Sequence, residues 1–330
     1  MQILVAVMLI LSLPASITAQ TDAVRVVYYP PWNISKLPMY LARSLGIFER
    51  NGLKIGWTNP GSNDKLLATL KSGGADIAVV SANHVVQSNA TGGAAMLLVG
   101  NTGYNYSVFL ADSAIKSAAD LKGKKVGSGE AGSTPDQLTR LALRKLGIDP
   151  VKDVTLVHFN EGRSADRAGA LTSGQISGSL VTAEALYELE KNGQLNRFNR
   201  LTDHKQLKIY AGGGADYAVA TAFLKNRRQE AKQFMSGICE GIAIARKDRA
   251  KALEFVAKTG RNLDAAAIAY LYELYMTDVI PPRPHLKIEG IDLAVQMTAA
   301  LIPSARPIDA RELIDAALVP ELEKEGRCNF

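Results

Sequence analysis

Residues 115–134 read IKSAADLKGKKVGSGEAGST, and this stretch predicts a turn, a short strand and a Gly/Ser loop that opens a helix. Thr134 is the expected N-cap, because Pro135 suits the first helical position and Gln137 follows three residues after the cap. Such a loop presents backbone N–H groups and hydroxyls at the positive end of the helix dipole. It lacks the Walker lysine pattern and the dinucleotide fingerprint. The stretch therefore predicts a strand–loop–helix junction of an α/β protein, in which Ser133 and Thr134 either only cap the helix or also contact a ligand.

The length and composition are those of a soluble globular protein large enough for two lobes. The 330 residues suffice for two α/β lobes, since domains usually span about 100–200 residues. Apolar residues make up 47% and charged residues 21% of the chain, which is ordinary for a soluble protein. The net charge of +6 is mild, and it fits an anionic small ligand as well as many other kinds of protein. Lysines and arginines form no long run and aromatic residues are only 6% of the chain, so a nucleic-acid partner is not expected.

The N-terminal segment predicts export. An apolar run covers residues 3–13, Pro14 ends it, and Ala19 offers a small residue at a cleavage position. This pattern is typical of a signal peptide, here residues 1–19, and is short for a membrane span. No cysteine follows the run, so a lipid anchor is not expected, and the mature protein is expected to start near Gln20 and to lie outside the cytoplasm. In that compartment Cys239 and Cys328 either pair and hold the C-terminal tail or stay separate thiols.

Strand and helix patterns alternate through the first two thirds of the chain. Residues 24–80 read β-α-β-α-β, which predicts a doubly wound sheet. A second α/β run begins near residue 105, and from about Thr221 onward the pattern is helical. The expected division is lobe I at residues 20–104, lobe II at 105–216, and a mostly helical return to lobe I at 217–330. Residues 212–217, GGGADY, are expected to form a flexible return connection.

Several motifs in this order match one family. They are PMYLA at 38–42, GIFE at 46–49, SGGADIA at 72–78, residues 115–127, and GIDP at 147–150. With these motifs the chain resembles the periplasmic solute-binding proteins of ABC importers that handle nitrate, sulfonates, taurine and thiamine-precursor pyrimidines. The resemblance implies the type II periplasmic-binding-protein fold, with two doubly wound α/β lobes joined by a two-strand hinge. It also implies capture of a small solute, delivery to an ABC permease in the inner membrane, a monomer, and no cofactor or metal.

One departure affects the ligand. After Gly174-Gln175-Ile176 the family usually has Asp-Ala and soon a proline, whereas this chain has Ser177-Gly178 and then Thr182-Ala183-Glu184. Relatives contact their ligand through that loop. The resemblance therefore does not specify which solute this chain binds.

The candidate ligand-binding residues lie where predicted strands end and helices begin, since ligands of open α/β sheets bind at the carboxyl ends of the strands. They are Tyr29, Trp32, Asn63, Ser81, Asn83, Thr102, Ser133, Thr134, Arg163, Thr182, Glu184 and Asp216. Tyr29 and Trp32 would stack on a planar solute, and Arg163 would pair with a carboxylate or sulfonate. Glu184 and Asp216 would instead bind an amine or a hydroxyl. Each of these residues also suits a plain turn or cap.

Two other functions stay open at this stage. A ligand-sensing protein that presents its closed lobes to a receptor would have the same sequence features. An enzyme related to pyrimidine-precursor synthases is the second alternative, but those enzymes carry a cysteine cluster, and this chain has two cysteines. The histidines are far apart in sequence and predict no catalytic set. His84 in particular is interpreted as a surface helix cap.

Overall fold

Ten strands build two five-stranded sheets in the part of the chain that the structure describes. The structure is a computed structural model, and it describes residues 23–29, 34–93, 95–104, 106–159, 164–202, 215–259 and 263–329. The strands are β1 (Val24–Tyr28), β2 (Ile55–Thr58), β3 (Ile77–Val80), β4 (Met96–Asn101), β5 (Ser107–Asp112), β6 (Lys125–Ser128), β7 (Thr155–His158), β8 (Gly178–Thr182), β9 (Phe198–Thr202) and β10 (Asp216–Ala220). The predicted signal peptide lies outside the described residues.

Helices flank both sheets. They are α1 (Leu37–Ser44), α2 (Ile47–Arg50), α3 (Asn63–Lys71), α4 (Ala82–Ala90), α5 (Thr134–Lys145), α6 (Ser164–Thr172), α7 (Ala183–Lys191), α8 (Thr221–Asn226), α9 (Arg228–Lys247), α10 (Arg249–Thr259), α11 (Ala265–Leu274), α12 (Ile288–Ala299) and α13 (Leu318–Lys324). Short 3-10 turns occupy Ile34–Lys36, Ala118–Leu121, Leu195–Arg197, Pro303–Ala305 and Ala310–Leu313, and a π turn occupies Tyr275–Val279. None of these described helices is both long and apolar enough to cross a membrane.

The two sheets have the same design. The first has the order β2-β1-β3-β10-β4 and the second β7-β6-β8-β5-β9. In each, four strands run in one direction, and a strand that enters from the other sheet is inserted antiparallel to them, namely β10 in the first sheet and β5 in the second. The first lobe is the first sheet with α1–α4 and α8–α13, and the second lobe is the second sheet with α5–α7. The predicted two-lobed α/β architecture is confirmed.

The prediction of a flexible return connection at residues 212–217 is wrong at its end. Asp216 and Tyr217 begin β10, which lies between β3 and β4 in the middle of the first sheet. Their side chains are fully buried. The preceding glycines suggested a loop, but a strand that pairs on both sides can satisfy its backbone within the sheet whatever precedes it.

The helical C-terminal third covers the first sheet. Helix α9 packs against α1 so closely that a Cβ on Gly241 would lie 2.1 Å from the carbonyl oxygen of Pro38, which explains the glycine there. A disulfide joins Cys239 of α9 to Cys328, with the two Cα atoms 5.1 Å apart. Of the two alternatives for these cysteines, the structure shows the bonded one, and the C-terminal tail is held to α9.

Candidate ligand-binding cleft

The carboxyl edge of the first sheet brings four predicted site residues together. Tyr29 directly follows β1, and its backbone N–H donates to Val79 of β3. Ser81 directly follows β3, and Asp216 pairs with Val80 on one side and Asn101 on the other. Because β10 runs antiparallel to its neighbours, its first residue lies beside their last residues. Tyr29, Ser81, Thr102 and Asp216 therefore share one edge, at which β4 also leads out toward the second lobe.

Asp216 is engaged within the first lobe. Its Oδ2 accepts from the backbone N–H of Ala82 at 2.7 Å, and its Oδ1 accepts from the side-chain amide of Asn101. Burial raises its pKa to about 7, against the two hydrogen bonds, which lower it. The carboxylate thus holds the first residue of α4 against the ends of β4 and β10.

Thr102 is likewise bonded inside the lobe. Its hydroxyl lies 3.0 Å from the Tyr217 hydroxyl and donates to the carbonyl of Ser35 at 3.3 Å. The side chain is fully buried. Thr102 therefore fixes the start of the crossing between the lobes to the turn that precedes α1.

His84 is buried, so its interpretation as a surface cap is wrong; only 2% of the residue is exposed. Its Nδ1 accepts from the backbone N–H of Ser81 at 3.3 Å, and its ring meets the Tyr29 ring edge-on at 6.2 Å between centroids. Burial, with the charge of Lys36 as a smaller cause, lowers the pKa of His84 to about 3. The ring is therefore neutral, and its Nε2 has no hydrogen-bond partner among the described residues.

Helix α5 faces this edge from the second lobe. Its N-cap is Ser133, with φ −69° and ψ 165°, so the prediction of Thr134 as the cap is wrong by one residue. The Thr134 hydroxyl donates instead to Oδ1 of Asn83 on α4, at 3.0 Å. Because the hydroxyl is used across the cleft, it is not the cap acceptor. Ser133 is 6% exposed, and its hydroxyl has no partner in the described structure.

Several hydrogen-bond donors of the loop before α5 are bonded to acceptors in the loop itself or in the first turns of α5. Buried Asp136 accepts from the Ser128 hydroxyl at 2.8 Å, the Gly132 N–H at 3.0 Å and Arg140 Nε at 3.0 Å. The Ser133 N–H donates to the Glu130 carbonyl at 3.0 Å. Because the loop bonds to itself in this way, fewer of its backbone N–H groups are available to a ligand than the sequence predicts. A carboxylate also stands close to the positive end of the helix dipole.

The lobes contact each other on both sides of the cleft. On one side the Gly132 carbonyl accepts from the Gln87 side chain at 2.9 Å, beside the bond between Asn83 and Thr134. On the other side, Tyr187 of α7 lies 5.2 Å from Tyr270 of α11, between ring centroids. Nearby, Lys191 pairs with Asp264 at 2.5 Å. These contacts enclose the cleft between the carboxyl edges of the two sheets.

The remaining candidates within the described residues lie at the starts of helices. Asn63 is the first residue of α3, is 3% exposed, and its Oδ1 has no partner among the described residues. Thr182 is the N-cap of α7 and its N–H donates to Ser164 at 2.8 Å. Glu184 is half-buried in the first turn of α7 and is one of the causes that raise the pKa of Tyr275, after burial. Trp32 and Arg163 lie outside the described residues.

Sequence reasoning missed several buried charged and polar side chains. Lys36 is fully buried before α1, and burial lowers its pKa well below the usual range. Arg167 of α6 is 2% exposed, and burial lowers its pKa to about 10. Gln87, one helical turn after Asn83, had a usable signal, since residues at that spacing share a face of α4. Lys36 and Arg167 had none, because a lone basic residue at a helix end ordinarily lies at the surface.

Two further features of the described residues concern metal binding and a groove outside the cleft. Within the described ranges no three His, Cys, Asp or Glu side chains are grouped so that they could hold a metal ion. A groove of about 380 Å³ lies apart from the sheet edges, at the other end of α5. It is lined by Leu141, Arg144, Lys145, Glu289, Leu293 and Gln296.

Comparison with known proteins gives the family. The model of the family described as NMT1/THI5 like matches residues 33–252, two thirds of the chain. This chain belongs to the NMT1/THI5-like family. The "Putative binding protein YtlA" of Bacillus subtilis (strain 168) is 26% identical over 162 residues, which are 48% of each chain. This NMT1/THI5-like protein thus matches about half the length of its curated relative.

Solved structures share the fold. The periplasmic aliphatic sulphonate binding protein SsuA from Escherichia coli superposes with a TM-score of 0.69 at 23% identity, over 89% of this chain and 92% of that one. The alkanesulfonate-binding protein SsuA from Xanthomonas axonopodis pv. citri, bound to MOPS, gives 0.65 at 21% identity, over 92% and 98%. At these identities the likeness establishes the periplasmic-binding-protein fold of this NMT1/THI5-like chain.

Proposed function

We propose that this protein is an extracytoplasmic solute-binding protein that captures one small organic solute, anionic or aromatic, between its lobes. In this proposal the protein is exported to the periplasm without a lipid anchor, acts as a monomer without a cofactor, and delivers the solute to an ABC permease. The observation that carries it is the enclosed cleft, where buried side chains with unpartnered polar atoms from both lobes meet at the carboxyl edges of two sheets. The SsuA likeness and the family support the same function.

The charges in the cleft favour an anionic or dipolar solute over a cation. The carboxylates of Asp216 and Asp136 both accept hydrogen bonds from the protein's own donors. Neither therefore requires a cationic solute to compensate its charge. Arg167 is buried in the second lobe and, with a pKa of about 10, keeps its positive charge at neutral pH. The half-buried carboxylate of Glu184, in the first turn of α7, would instead favour a cationic group of the solute.

The enzyme alternative has less support. Both cysteines are joined in the disulfide between α9 and the tail, so neither supplies a thiolate nucleophile. His158 lies 2.7 Å from the Gly129 carbonyl and 3.8 Å from Asp136, and His84 is bonded to the Ser81 backbone. These histidines are held by the folded chain, as expected of residues that shape a binding cleft.

A thermal-shift panel tests the proposal. Purified residues 20–330 would be heated with ethanesulfonate, taurine, benzenesulfonate, benzoate, nitrate and 4-aminopyrimidine. A solute at a hundred times its Kd stabilises by about 2.7 kcal/mol, which for a chain of this size raises the Tm by roughly 5 °C. A rise with one chemical class and none with the others supports the proposal and names the class. No rise with any compound would contradict it.

A further inference from the structure

His84 is a neutral imidazole whose proton position is set by its neighbour. The Ser81 N–H donates to Nδ1, so Nδ1 must present its lone pair. A neutral ring carries one proton, which therefore resides on Nε2. The same hydrogen bond closes the first turn of α4, so the tautomer is built into the start of that helix.

The Nε2–H group lies near the carboxyl edge of the first sheet, where the lobes meet. The ring lies beside Tyr29 at the carboxyl edge shared by β1 and β3, and Nε2 is on the side of the ring away from the α4 cap. The atom is buried and has no hydrogen-bond partner in the described structure. Buried donors in folded proteins are nearly always paired, so an orphan donor in a cleft points to a missing partner.

We propose that His84 donates a hydrogen bond from Nε2 to an acceptor atom of the bound solute, which makes it a specificity-determining residue of the cleft. This rests on the proposed solute-binding function and goes beyond it by naming one donor and the group it requires. The solute must place an oxygen or an unprotonated nitrogen against the first-lobe sheet edge. A cationic group there would face an N–H donor and have no acceptor to pair with at Nε2.

The binding role and the capping role of His84 can be separated by two substitutions. In H84N the amide oxygen is near the position of Nδ1, so the bond from Ser81 is kept and the cleft donor is lost. In H84Q the amide nitrogen reaches the position of Nε2, so the cleft donor is kept and the cap is weakened. H285N makes the same change at an exposed histidine and is the matched control.

Affinity would be measured by calorimetry with whichever panel compound raises the wild-type Tm most. We expect H84N to bind about 10- to 100-fold more weakly and H84Q within about threefold of the wild type, because a lost bond to a buried group weakens binding by that order. H285N should bind as the wild type does. The Tm should follow a different order, with H84Q affected at least as much as H84N.

Equal affinity of H84N and wild type would overturn the inference and leave the solute-binding proposal standing. If the wild type binds no panel compound, the proposed function fails, and the inference fails with it. If both variants misfold, wild-type protein labelled with ¹⁵N-histidine decides the matter. The Nε2–H resonance of His84 should then shift when the compound is added, and an unchanged resonance would refute the bond.

Discussion

Asp216 illustrates how one predicted site residue serves the architecture of the first lobe. The sequence suggested a cleft carboxylate that binds an amine or a hydroxyl. In the structure its two oxygens accept from Ala82 and Asn101, and so connect α4 to β4 and β10. Composition and spacing could place Asp216 near the strand ends. They could not show the amide of Asn101, which is 115 positions away in the sequence.

The pH dependence of stability should reveal the buried state of Asp216. Its pKa is about 7 in the folded protein and near 3.8 when unfolded, so the folded state binds the proton more tightly. Stability from this group is therefore lost as the pH rises between those values. Relative to Asp216→Asn, the wild type should lose roughly 2 kcal/mol of unfolding free energy between about pH 5 and pH 8, measured by urea denaturation.

Asp76→Asn provides the control, because the pKa of Asp76 is shifted in the opposite direction to that of Asp216. Asp76 pairs with Arg25 at 2.6 Å, and the hydrogen bonds from Arg25 hold its pKa below the usual range, against the effect of burial. Its contribution is complete above the unfolded pKa and is lost only in more acidic solution. Asp76→Asn should therefore shift the stability by a constant amount across this pH window. If the stability of Asp216→Asn also differed from that of the wild type by a constant amount across this pH window, the buried, proton-binding state of Asp216 would be contradicted.

At the scale of elements, local patterns predicted the β6–loop–α5 unit well but not how its polar groups are used. The strand, the loop and the helix all occur where residues 115–145 predict them. The cap is Ser133, one residue before the predicted one, and the Thr134 hydroxyl bonds to Asn83, 51 positions earlier. The loop N–H groups are partly occupied because Asp136 turns back onto Gly132. β10 was missed for a similar reason, since its partners β3 and β4 are distant in sequence.

The contact between α4 and α5 should help to hold the lobes together around a solute. Thr134→Val keeps the shape of the side chain, removes its hydroxyl, and leaves the buried Asn83 oxygen without its donor. We expect solute affinity to fall roughly 5-fold and the radius of gyration of the unliganded protein to rise. Calorimetry and small-angle X-ray scattering would measure the two effects.

Thr139→Val is the matched control on the same helix. The Thr139 hydroxyl is buried and donates to the Pro135 carbonyl at 2.8 Å, within α5. Its loss should leave both affinity and radius of gyration unchanged. If the two valine variants behave alike, the hydrogen bond between Thr134 and Asn83 does not contribute to closure.

For the whole molecule, the repeated β-α pattern and the helical C-terminal third predicted two lobes with the last third on the first lobe. The pattern predicts this because successive parallel strands need helical crossovers, which cover the faces of each sheet. The pairing of Cys239 with Cys328 could not be predicted, since two cysteines 89 positions apart carry no signal of their distance in space. The structure places them together because α13 and the tail return along α9.

The disulfide should stabilise the whole protein without shaping the cleft. It closes a loop of 89 positions and lies in the core that α9 and α13 share in the first lobe, away from the strand ends. Loss of such a crosslink typically costs roughly 2–4 kcal/mol, because the unfolded chain gains freedom. The Cys239→Ser/Cys328→Ser variant should therefore melt roughly 4–7 °C lower while keeping wild-type affinity for its solute. Wild type treated with reductant under unfolding conditions and refolded should match the variant. An unchanged Tm would show that packing of α13 alone holds the tail, whereas a loss of affinity would show that the crosslink acts on the cleft.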